Sequence, residues 1–255
     1  MINQVKAELF KLQRNKTFWV LLFIATLLSA LLHYLIIIDW WKVNDSVFVR
    51  AGLDELSGLT AFTTPIFFNL FIGTLAGFFI STEFSQSSVI KNQIMTGGKR
   101  SSIFISKYLI FTIGAIMIAI LIPLLTGIFE VILLGHGEIL NVHNLVYLSR
   151  AFGLYILQFI GYTAILVLLA IATEDSGKTI IFSILITIVM YGVEMVPNLP
   201  IISTIYKNSI FYQFSAVFQA SMTNVDILKA ILIAGITFFI VTIIGIVVFN
   251  KKEIK

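Results

Sequence analysis

Six runs of apolar residues, each long enough to cross a hydrocarbon layer, dictate most of what this chain can fold into. They cover residues 18–38, 61–81, 108–129, 151–173, 179–196 and 230–249. A hydrocarbon core of about 30 Å needs roughly 20 residues at a rise of 1.5 Å each, so every run reads as a membrane span. Lipid offers no partner to a free backbone group, and the alternating pattern of a barrel strand is missing, so the spans must be helices. Composition agrees: 58% of the residues are hydrophobic and 12% charged, where soluble chains carry about 45–50% and 25%. The expected fold is an all-α membrane protein with a single domain over 1–255.

The first run follows Lys6, Lys11, Arg14 and Lys16, as the core of a secretory signal would. It exceeds the usual span of about 7 to 15 apolar residues for such a core, and no clear cleavage site follows it. An uncleaved span is therefore expected. The chain has no cysteine, which excludes thiol chemistry and cysteine metal sites.

Basic residues stay on the cytoplasmic side of a membrane. With both termini on that side, it holds Lys6, Lys11, Arg14, Lys16, Lys91, Lys99, Arg100, Lys107, Lys178, Lys251, Lys252 and Lys255, twelve of the seventeen basic residues, with five acidic ones. The other side keeps five basic and eight acidic residues. The asymmetry predicts cytoplasmic termini in a plasma membrane.

Ahead of the first span, Ile2, Val5, Leu9 and Leu12 recur at helical spacing, with Lys6 and Lys11 largely off that stripe. Residues 1–17 are thus expected to form an interfacial helix lying in the headgroup plane. Trp40 and Trp41 mark the outer edge of span one. The stretch "PNLPIISTIYKNSIFYQFSAVFQASMTNVD" is too apolar for a plain loop and too interrupted to cross. Short helices or a re-entrant segment are expected there, opened by Pro197 and Pro200. Small residues four apart, Gly73 with Gly77 and Ala25 with Ser29, let helix backbones approach closely, either within one chain or between subunits. Pro123 removes a hydrogen bond inside span three and can kink it.

Catalytic chemistry has little to stand on. "SGKT" at 176–179 resembles the tail of a phosphate-binding loop, but Ala172 occupies the position where that loop needs glycine, and the motif follows a span instead of a strand. His33, His136 and His143 lack any metal-ligand spacing. His136 and His143 with Glu130 and Glu138 form at most a loose outer cluster. The spans carry almost no ionisable residue at mid-depth; only His33, Glu130 and Glu194 approach the lipid zone, near outer ends. An ion-coupled carrier is disfavoured on that ground. No site for a cofactor or nucleic acid is expected.

One polar island interrupts the apolar chain, "EFSQSSVIKNQIMTGGKRSS" at 83–102. Ser85, Ser87 or Ser88 can cap a short helix, on which Ile90 and Ile94 fall four apart, with Lys91 on another side and Gly97 and Gly98 as a stop. An exposed apolar ridge with basic ends is expected. Such a ridge wants a protein partner or the inner leaflet, to which Lys91, Lys99 and Arg100 are drawn.

With six spans, a basic N-terminal helix and outer helices before the last span, the island resembles the loop after span two in permease subunits of type-2 ATP-binding-cassette exporters. That loop runs from an acidic residue through a small or hydroxyl stretch to a glycine or proline, a basic pair and a lysine at span three. Glu83, Ser87, Lys91, Gly97, Lys99, Arg100, Ser101 and Lys107 match it, with Gly97 and Gly98 where many relatives have proline. The resemblance implies a coupling helix docked on a separate cytoplasmic ATPase, which binds ATP and magnesium and against which the N-terminal helix also leans. It further implies pairing with a second permease. Size, 23 phenylalanines and the lack of a large outer domain look most like Gram-positive permeases for antimicrobial or toxin-like amphipathic peptides, of the lantibiotic-immunity, bacitracin or phenol-soluble-modulin type. Export of lipid or drug, or a non-transporting scaffold or sensor partner, are the alternatives.

Overall fold

A computed structural model describes residues 1–85, 87–195 and 200–252, without the side chains of residues 87, 88, 200 and 201. The described residues form helices and no strand, and six helices are long and apolar enough to cross a membrane. They are span one Lys16–Ile37, span two Pro65–Ser85, span three Arg100–Leu133, span four Val142–Thr173, span five Ser176–Glu194 and span six Asn224–Lys251.

Several helices start well before the apolar runs do, because caps and ion pairs set their ends. Asn141 accepts from the backbone N–H of Asn144 at 3.0 Å and starts span four. Thr223 and Asp226 close a capping box at the head of span six. Span three begins at Arg100 because the polar stretch before its apolar run finds partners, described below.

The N-terminal helix, Ile2–Arg14, breaks from span one at Asn15, whose extended backbone turns the chain and whose side chain caps Phe18 at 2.9 Å. Its expected stripe divides: Val5 and Leu12 pack inward, whereas Ile2 and Leu9 are exposed, together with Lys6 and Phe10. The inward face is completed by Glu8, a carboxylate the apolar spacing does not reveal.

Spans one and three, two and five, and four and six are the main packed pairs. Gly73 and Gly77 face span five within this chain. A Cβ at Gly77 would lie 2.9 Å from the carbonyl oxygen of Ser176, and one at Gly73 would meet Ser183. Ser29 sits against span three, its hydroxyl donating to the Pro123 carbonyl at 3.3 Å. Immediately before Pro123 the helix widens into a π-turn, Met117–Leu121, which gives the proline ring room in place of a break in the span.

Span four is the centre of the bundle. Tyr155, Phe159 and Tyr162 pack edge-on against Phe68 of span two, and Tyr155, Tyr162 and Phe68 pack edge-on against Phe214 of a short helix, Ile210–Ala216. That short helix and a preceding one, Pro200–Lys207, form the segment before span six; Pro197 lies outside the described residues. The connection between spans one and two also folds in, burying Phe48, Leu53, Leu56 and Leu59.

The "SGKT" segment has a structural explanation. Glu174 ends span four in a left-handed conformation, and Asp175 caps span five through the N–H of Lys178 at 2.7 Å. Thr179 is buried against Ser81, their hydroxyls 2.7 Å apart, and Lys178 is exposed.

Candidate functional site

The polar island lies where the N-terminal helix, the base of span three and the end of span six meet. After span two, a helix covers Ser87–Met95. Its stop is built from glycines: Gly97 has φ +86°, and the N–H of Gly98 donates to the Gln93 carbonyl at 3.1 Å. A Cβ on Gly98 would sit 2.5 Å from that carbonyl and 3.0 Å from the Gln4 side chain, so the turn and the N-terminal helix both require glycine there.

The expected exposed ridge is corrected by the structure. Ile90 is only 1% exposed, and Ile94 is half-buried against the same core. Apolar periodicity defines a face of this helix but not which way the face turns, and here the bundle itself covers it. The free side carries Lys91, Asn92, Met95 and Thr96, with Lys99 exposed just beyond the turn. The Ser85 hydroxyl donates to the Thr82 carbonyl at 2.9 Å. Ser87 stands at the helix start, with its side chain outside the description.

Beneath this helix four charges converge. Lys11 lies 2.9 Å from Glu8 and 2.9 Å from Glu83, and Lys107 lies 3.0 Å from Glu8 and also pairs with Glu83. Lys107 and Glu8 are 1% and 2% exposed, so removing them from water costs several kcal/mol per ion unless their charges are matched. Two carboxylates and two ammonium groups sum to zero, and Gln93 of the island helix adds a hydrogen bond to Glu8 at 3.1 Å. The cluster therefore ties the N-terminal helix, the end of span two, the island helix and the base of span three into one neutral unit. Burial opposes ionisation of Glu8, but Lys107 and Lys11 outweigh it and hold its carboxyl below the ordinary value of 4.5. Burial likewise works against the charge on Lys11, and Glu83 and Glu8 reverse that and raise it above 10.5. Glu8 and Lys11 therefore keep opposite charges across the neutral range.

A second tie reaches the other terminus. Arg100 donates to the carbonyls of Phe249, Asn250 and Lys252 at 3.0, 2.9 and 2.6 Å. These are orphan carbonyls at the end of span six, where a cation is also favoured by the helix dipole. Phe249 packs edge-on to Phe84 at 5.4 Å, and Lys252 pairs with Glu174 at 2.8 Å. The N-terminal helix and the end of span six are thus both fastened to the island.

Of the residues singled out in the sequence, Glu83, Lys11, Leu12, Ile90, Ile94, Gly98, Arg100 and Lys107 come together here, whereas Lys6, Leu9, Lys91 and Lys99 remain on the surface. Sequence reading missed Glu8 as a partner; its one local signal is its place between Val5 and Leu12 on the inward face. No group of three metal-ligating side chains occurs among the described residues, and His136 instead approaches Glu55 at 3.4 Å.

The arrangement links a small surface helix, through ion pairs and hydrogen bonds, to the N-terminal helix and the ends of several spans. A bundle of six such spans defines a multi-pass membrane protein. The family description "ABC-2 family transporter protein" matches residues 4–194, and the chain belongs to that family. It is accordingly a permease component of an ATP-binding-cassette transporter, a kind of subunit that works with a cytoplasmic ATPase. Comparison with curated proteins and with solved structures gives no match.

Proposed function

We propose that this chain is half of an exporter that moves amphipathic, toxin-like or antimicrobial peptides out of a bacterial cell or its membrane, driven by ATP hydrolysed on a separate subunit. The observation that carries the reading is the junction of Glu8, Lys11, Glu83 and Lys107, which places the island helix where a push on its free side reaches the bundle. With the island cytoplasmic, Lys91, Met95 and Lys99 are the surface offered to the ATPase. Charge-poor spans rich in phenylalanine suit an amphiphile. A second permease, identical or not, pairs with this one through the largely uncovered faces of its spans.

Co-expression with the cognate ATPase tests this. Lys91→Glu with Met95→Asp changes only exposed positions, so the permease is expected to accumulate normally and to lose its ATPase on co-purification. Undiminished association and turnover would exclude docking through this helix. A scaffold or sensor role predicts no ATPase association with the unaltered chain either.

A further inference from the structure

At the end of the bundle opposite the junction, a cavity of about 220 Å³ lies between the last turns of span five, the helix Ile210–Ala216 and the segment leading into span two. Its floor is aromatic: Phe211, Phe214 and Phe218 line it and are nearly fully buried. Its rim carries Asp45 and Glu194, both exposed. No lysine, arginine or histidine lines it, and neither carboxylate takes part in an ion pair among the described residues. Tyr206 reaches from the helix Pro200–Lys207 and donates its hydroxyl to Glu194 at 2.9 Å, which orients the carboxylate. Burial, with Glu194 beside it, pushes the Tyr206 hydroxyl well above its usual value and keeps it a donor. The hydroxyl of Thr60, on the cavity wall, is buried with no hydrogen-bond partner.

Aromatic side chains and carboxylates outside any ion pair, gathered around one partly open space, favour the same guest. A cation is attracted by the negative face of an aromatic ring and by the carboxylates. The volume is smaller than the about 300–1,000 Å³ of a site for a drug-sized ligand, which limits the guest to one head or side chain. We propose that this cavity binds a single ammonium or guanidinium group on an apolar stem, presented either by the head of a cationic amphiphile or by a basic side chain of an amphipathic peptide. Binding needs no ATP, so the site stands or falls separately from the coupling reading; it names a transported class only where that reading also holds.

The test uses the full chain in lipid nanodiscs and two probes, dodecyltrimethylammonium and a lysine-bearing amphipathic helical peptide, each beside an uncharged counterpart, dodecyl maltoside and the lysine-acetylated peptide. Saturable binding of a cationic probe is expected, weakened about tenfold or more by Asp45→Asn with Glu194→Gln. Binding of the surfactant alone assigns the site to a headgroup, and of the peptide alone to a side chain. Because both substitutions preserve shape at exposed positions, an unaltered thermal midpoint is expected alongside. Equal affinity for charged and uncharged probes, absence of saturable binding, or an unchanged affinity in the double variant would overturn the proposal.

Discussion

The two ends of the bundle handle charge in opposite ways. At the island end, carboxylates and ammonium groups are buried, matched and drawn from helices far apart in the chain; Lys107 meets Glu8 across 99 positions. At the far end, Asp45 and Glu194 stay unpaired at the rim of an aromatic cavity. The first arrangement resists change because no member can leave without exposing the others to an unmatched charge. The second tolerates change and keeps its attraction for something outside the chain.

Substitutions should separate the ends by size of effect. Lys107→Met leaves Glu8 and Glu83 to share Lys11, and a loss of about 3–5 kcal/mol is expected. Thermal unfolding in detergent checks it, and Glu8→Gln added to the same chain should restore a good part of the loss. Next comes Gly77→Val, which forces a side chain against the Ser176 carbonyl; overpacking of this kind costs about 1–3 kcal/mol. Gly192→Val, with nothing within 4 Å of its Cβ, serves as the indifferent control. Arg100→Lys keeps the charge but shortens the side chain whose Nη1 donates to the three carbonyls, and about 1 kcal/mol of destabilisation is expected. Faster amide exchange confined to the end of span six would report it. Smallest is Asp45→Asn at the far end, within about 0.5 kcal/mol of the unaltered chain.

Acidity should sharpen the same contrast. Glu8 is held below its usual value in the folded state, so its contribution is present above about pH 4.3 and disappears as pH falls through the lowered value. Lys11 is raised, so its contribution is complete below about pH 10.4 and disappears as pH rises through the raised value. Stability at the junction should be flat between these limits, measured as exchange protection of the N-terminal helix, and Glu8→Gln should abolish the acid limb.

The apolar runs made the spans and their number legible, because hydropathy depends on residue type alone. Their ends were less so. Span three starts at Arg100, eight residues before the run at 108, because Lys107 and Arg100 become helical residues only once Glu8, Glu83 and the carbonyls of span six meet them. Ile90 and Ile94 were correctly placed on one face, but spacing has no sign, and only packing shows that the face turns inward. Glu8 counted as one more surface charge until its remote partners were in view. At the far end, Glu194 stood out near the edge of a span, yet the aromatic floor beside it is assembled from separate segments that no local pattern connects.

If the four-charge junction carries movement from the island helix into the spans, as proposed, loosening it must uncouple the ATPase without dismantling the complex. The most direct measurement is peptide-stimulated ATP turnover of the reconstituted complex carrying Lys11→Met with Glu83→Gln, which leaves Glu8 and Lys107 as a matched pair. Intact assembly with stimulation reduced to the basal rate is the expected result. Assembly and stimulation both equal to those of the unaltered complex would contradict it.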